Sequence, residues 1–187
     1  MIVESSELFS RGSVVANMLR PLHHSQHGPA HSNSSIGGSA IIGTHDVRVS
    51  AHHRDWRFNT ISKTHKAAYF EEWIDVDRGR KFELKHAALN LYTVAPRTFE
   101  ETEFLLVHCE PANVHNGVRY KVGPHLHISC APSPVRDAHI ALCPLSVEQA
   151  IESSMKLTAI LAEIAIMIRE EVFNSPWTGP AAEALAH

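Results

Sequence analysis

The sequence has little to support a disulfide scaffold, a membrane span or a phosphate-binding loop. It holds three cysteines, Cys109, Cys130 and Cys143, and none belongs to a CxxC pair. An odd count of this kind argues against a disulfide framework, so buried free thiols are expected. No run of about 18 apolar residues occurs, which excludes a predicted spanning helix. The start, Met1-Ile-Val-Glu-Ser-Ser-Glu7, lacks the basic and apolar regions of a secretory signal, and a cytoplasmic location is expected. Net charge is only −3 with histidine neutral, so the overall field does not indicate nucleic acid. There is no glycine-rich phosphate loop, no nucleophile elbow and no defensible Ser/His/Asp spacing.

Histidine is what the chain does have, 15 in 187 residues. The pattern that matters lies at 117–143. Strand side chains alternate between faces. Along 125–130, Leu126, Ile128 and Cys130 fall on one parity and His125, His127 and Ser129 on the other. Pro132-Ser-Pro134 breaks the run. Beyond it, Ala138, Ile140 and Leu142 alternate with Asp137 and His139. A hairpin centred on Ser133 would put the apolar sets on one face together, with His127 across from His139. A one-residue slip would bury the wrong side chains, and that penalty specifies the register.

The first 43 residues read differently. Val14–Leu19 suits a short helix or strand, stopped by Pro21. The His, Ser, Gly and Pro content of 23–43 marks a loop or disordered tract, whose His23, His24, His27 and His31 are weak metal candidates. The expected organisation is an N-terminal extension at 1–43, a single domain at 44–175 and a tail at 176–187. Val47 and Val49 open the sheet signals. Trp56, within the basic and aromatic stretch 52–57, is a candidate ligand or base platform. Lys63 and Lys66 add positive charge nearby.

Ala67 to Val76 alternates as a strand, with Tyr69, Glu71 and Trp73 on one side and Phe70 and Ile74 on the other. Asp77-Arg-Gly79 supplies a turn. In the return strand the apolar phase shifts near His86-Ala-Ala88, which predicts a β-bulge and makes His86 a secondary site candidate. Phe104–Val107 is a continuous apolar run ending in His108, a further candidate. The adjacent carboxylate pairs, Glu71-Glu72 among them, read as solvated faces.

Ser146 and Gln149 have the form of a capping box, and apolar residues follow at helical spacing. This predicts a helix over 147–173, ~39 Å long at about 1.5 Å per residue. Its wide apolar stripe suits both a sheet and a second subunit or protein partner. Strands segregated from helix give an α+β class: a mainly antiparallel sheet of about five to six strands, with one long C-terminal helix packed on one face.

His125, His127 and His139 together form a ligand set for one divalent transition metal ion, whether zinc, manganese, nickel or iron. Asp137 would be a fourth ligand, an orienting group or a base. Solvated strand faces alternate in the same way, so alternation alone does not distinguish a site from a polar surface. Two functions fit. The first is a binding or assembly protein, with the helix as subunit contact and the histidine face as ligand site. The second is a metal-dependent or histidine-based hydrolase of phosphoester bonds, with His127, His139 and Asp137 as its catalytic groups. The lack of a recognisable catalytic motif favours the first.

Overall fold

A computed structural model describes residues 1–23, 31–36, 38–44, 59–109, 125–128, 138–141 and 152–174, with backbone alone described at 31–36, 59–60, 125–128 and 138–141. The fold is α+β, and every strand pair in it is antiparallel. The strands are β1 (Ile2–Glu4), β2 (His31–Ile36), β3 (Ser39–Thr44), β4 (Asn59–Thr60), β5 (His65–Asp75), β6 (Lys81–Val94), β7 (Glu101–Cys109), β8 (His125–Ile128) and β9 (Ala138–Ala141). They form one sheet in the order β2-β3-β5-β6-β7-β8-β9, with β1 beside β6 and β4 beside β5.

Strands β5 and β6 are the spine, at 11 and 14 residues. Their alternation decides the two faces. Tyr69, Glu71 and Trp73 of β5, with Leu84, Ala87, Leu89 and Leu91 of β6, are buried. The step from Leu84 to Ala87 breaks the period of two, because Lys85 is an extra residue: Trp73 pairs with Leu84 and Glu72 with His86. The expected bulge is therefore present, one residue before His86. A second bulge lies in β7, where Leu105 pairs with Leu91 and Glu103 with Tyr92, leaving Phe104 without a ladder partner.

Among the described residues, two helices pack on the face that carries Tyr69, Trp73 and Leu89. Helix α1 (Ser5–Met18) buries Leu8, Arg11, Gly12, Val15 and Met18, one stripe at helical spacing. It runs into a 3-10 turn at Arg20–Leu22 that contains Pro21, and Leu22 is buried. These residues, assigned from sequence to an extension, belong to the core. The tract read as a loop over 23–43 likewise contains the paired strands β2 and β3. Helix α2 (Ser154–Met167) buries Leu157, Leu161, Ile164 and Ala165, and its last turns continue as a π-helix, Ile168–Asn174.

The helix start differs from the expected one. The described helix begins at Ser154, where the Ser153 hydroxyl accepts the Lys156 N–H at 3.3 Å; the Ser146–Gln149 box lies outside the described residues. Glu152 and Ser153 are not helical, so the helix expected over 147–173 is not continuous, and Ser153 caps the part that follows.

The Glu71-Glu72 pair is a second correction, since Glu71 is fully buried. Its carboxylate accepts from Arg11 Nη2 at 2.6 Å, from Arg11 Nε at 2.9 and 3.1 Å, from the Tyr69 hydroxyl at 2.5 Å and from Trp73 Nε1 at 3.0 Å. Arg11 Nη1 donates to the Ser154 carbonyl at 3.1 Å and to the Thr158 hydroxyl. Burial alone would disfavour the guanidinium charge, but the facing carboxylate outweighs it and holds the proton on Arg11 more firmly than usual. Burial and the same carboxylate push the Tyr69 hydroxyl well above its ordinary pKa. A buried charge is tolerated when paired and hydrogen-bonded in this way.

Candidate functional site

The sheet face opposite the helices carries a group of histidine positions. Alternation puts Phe70 and Glu72 of β5, His86 and Asn90 of β6, and His108 of β7 on the parity away from the core. The ladder then extends this parity through β8 and β9. His108 is paired with His125, and Leu106 with His127. His127 is paired with His139, and His125 with Ala141. The hairpin register is therefore the one centred on Ser133. One cross-sheet row reads Asn90, Leu106, His127, His139, and the next reads Ala88, His108, His125, Ala141. Neighbouring strands sit ~4.8 Å apart, so five histidine positions of one parity fall on one patch of sheet.

Side chains are described for the β5–β7 part of this patch. The His86 ring meets Phe70 edge-on at 5.1 Å and lies 6.2 Å from the His108 ring. Its Nδ1 is 3.7 Å from Glu72 Oε2, too long for a hydrogen bond but close enough for attraction when charged. Lys85, the bulged residue, donates to Glu72 at 3.1 Å. Partial burial pushes the Glu72 pKa up, but Lys85, His86 and Ser39 outweigh it and hold the carboxyl below its ordinary value. One row away, Asn90 Nδ2 donates to Glu103 at 2.6 Å. Asn90 Oδ1 is buried and accepts no hydrogen bond among the described residues. A buried acceptor left open is costly, so it marks a place where a donor would be favoured.

The sequence-derived candidates are thus distributed as follows. His86 and His108 stand together on this patch, and the backbone of His125, His127 and His139 joins it by register. Asp137 and Trp56 lie outside the described residues. Among the described residues, no group of three or more His, Cys, Asp or Glu side chains converges as a metal cage. Lys66, read as part of a basic patch, pairs with Glu101 at 2.7 Å. Two residues of the patch were not read from the sequence. Glu72 was grouped with solvated carboxylates, although its place opposite His86 follows from the β5–β6 pairing. Asn90 carried no signal beyond its parity.

Comparison with known proteins gives no match: no protein-family model, no curated protein and no solved structure matches the chain. No helix is long and apolar enough to cross a membrane among the described residues.

Proposed function

We propose that this chain is a binding protein whose histidine-bearing sheet face holds its ligand, with a divalent transition metal ion as the ligand that the side-chain chemistry favours. The observation behind this reading is the pairing of His127 with His139, next to that of His108 with His125. Directly opposed strand residues have Cβ atoms ~4.5–5.5 Å apart, a separation at which two imidazoles can share one ion. Neutral imidazole is a good ligand for zinc, nickel and iron, and less so for manganese. Glu72, held ionised beside His86, supplies negative charge near the patch.

The test is elemental analysis of the purified untagged protein after equilibration with zinc, manganese, nickel or iron. One metal per chain, lost in a folded His125→Ala/His127→Ala variant and in His127→Ala/His139→Ala, supports the reading. No bound metal in the parent protein would sink it.

A hydrolase is the second reading, favoured by the same opposed pair. An ion on few protein ligands keeps a position for water and lowers its pKa toward ~7. Turnover of a phosphodiester by the metal-loaded protein, abolished by His139→Ala, would support it; a metal-loaded protein without turnover would leave only binding. The proposed subunit contact rests on exposed apolar residues of the C-terminal helical segment, Met155, Ile166, Met167 and Val172. Its check is the mass in solution, by sedimentation, of the parent and a Met155→Asp/Met167→Asp variant.

A further inference from the structure

A cavity of about 670 Å³ lies on the helix side of the sheet, where the ends of β5, β6 and β7 meet the π-helical turns. It is separate from the histidine patch, which is on the other face. Its size is within the ~300–1,000 Å³ typical of small-molecule sites. Ile61, Phe104, Val172 and Phe173 form its apolar wall. The β7 bulge falls at Phe104, and bulges commonly re-aim a side chain beside a site. The π-helix supplies Arg169, Val172 and Phe173, and such turns are rare and concentrated at functional sites.

Ser62, Thr93, His65 and Arg169 complete the cavity, and the last two carry its titratable and charged groups. The His65 ring stands edge-on to Phe104 at 6.0 Å and to Phe173 at 5.2 Å. Its Nδ1 is 3.2 Å from the Ser62 hydroxyl and 3.0 Å from the Thr64 hydroxyl. When Nδ1 accepts from either hydroxyl, the ring proton sits on Nε2, which has no partner among the described residues. Arg169 is half-buried and has no ion-pair or hydrogen-bond partner among the described residues. A guanidinium is always charged and presents a planar fork that matches a carboxylate. A partly buried cation with no acid among the described lining residues favours an anion in the cavity.

We propose that this cavity binds a small organic monocarboxylate with an aromatic or branched apolar body. The carboxylate pairs with Arg169 and accepts from His65 Nε2, while the body packs against Phe104, Phe173 and Val172. A single cation beside the apolar side chains Ile61, Phe104, Val172 and Phe173 suits one negative charge on an apolar body better than a phosphate dianion.

The test is a titration of the full chain, followed by NMR and calorimetry, with 3-phenylpropionate, indole-3-acetate and octanoate. The neutral 3-phenylpropionamide and inorganic phosphate serve as controls. Saturable binding of at least one carboxylate is expected, with the amide weaker by about tenfold or more, the scale of one charge-assisted contact. Arg169→Gln should weaken the carboxylate by a similar factor with an unchanged circular dichroism spectrum. The exposed Arg20→Gln should leave binding unaltered. Phe104→Leu, which keeps an apolar wall, should weaken the aromatic ligands more than octanoate. Failure of all three carboxylates to bind would overturn the proposal, as would equal affinity for the amide. Binding that survives Arg169→Gln in full would also overturn it, and binding of inorganic phosphate alone would replace the carboxylate with a simple anion.

Discussion

Arg11 and Glu71, sixty positions apart, meet at 2.6 Å with both side chains closed off from water. The contact joins α1 to β5, and the remaining Arg11 donors reach α2 at Ser154 and Thr158. Breaking a buried pair by removing one partner leaves an uncompensated charge, which typically costs about 3–5 kcal/mol. Arg11→Met and Glu71→Leu should each destabilise by roughly that amount. The double variant should cost less than the sum by at least ~1 kcal/mol, because no lone charge remains. Urea unfolding of the four proteins measures this, and strict additivity would show that the two groups do not act as a pair.

Gly43 is held close against β5. A Cβ there would lie 2.2 Å from the Tyr69 carbonyl oxygen and 2.9 Å from the Phe70 Cα. Both are backbone atoms, so relief requires the strands to separate. Gly43→Ala is expected to destabilise by about 1–3 kcal/mol, the usual range for overpacking. A thermal unfolding midpoint equal to the parent's would contradict the close approach.

Acid should weaken the fold in two stages. Burial holds the His65 pKa below its ordinary 6.5. The unfolded chain then binds the proton more readily, so full stability is present above about 6.5 and falls as pH drops below it. Glu72 is also held below its ordinary 4.5, and its contribution is present above that value and lost at lower pH. His65 is only partly buried, so the upper stage should be small. Unfolding measured from pH 8 to pH 4 should show a shallow decline below about 6.5, absent in His65→Asn.

The two sides of α2 should respond differently to a charge. Leu161 is buried in the core, whereas Met155 is 78% exposed. Leu161→Asp would bury an unpaired carboxylate and should exceed ~4 kcal/mol, enough to unfold many domains. Met155→Asp should stay within about 0.5 kcal/mol. Circular dichroism and denaturant midpoints distinguish them. A folded, undisturbed Leu161→Asp would mean that the helix does not pack as described.

Much of the sheet was legible because period-two alternation carries a penalty for error. The parity of Tyr69, Glu71 and Trp73, the phase shift before His86 and the 125–141 register were all readable in that way. The same alternation contained the evidence about Glu71, which shares the parity of two large aromatics. A carboxylate there looks solvated until its partner is known, and Arg11 lies in a segment whose sequence suggested an extension. Of helix α1 only the last turn, from Val14, was read as a helix or strand, because polar residues such as Ser5, Ser6 and Ser10 dilute the stripe before it. The Ser153 cap of α2 was not read because Ser153-Ser-Met-Lys156 lacks the Glu or Gln of a capping box, although its hydroxyl still accepts the Lys156 N–H.

By itself the sequence determined the fold class, the parity of the strands and the presence of histidines at matching positions on successive strands. Those are local properties, set by side-chain period and turn residues over a few neighbours. Tertiary structure alone decided that Arg11 neutralises Glu71, that both helices share one face, and that His65 and Arg169 border one cavity. These relationships join residues far apart in the chain, and their energies depend on burial and distance, which no local pattern encodes.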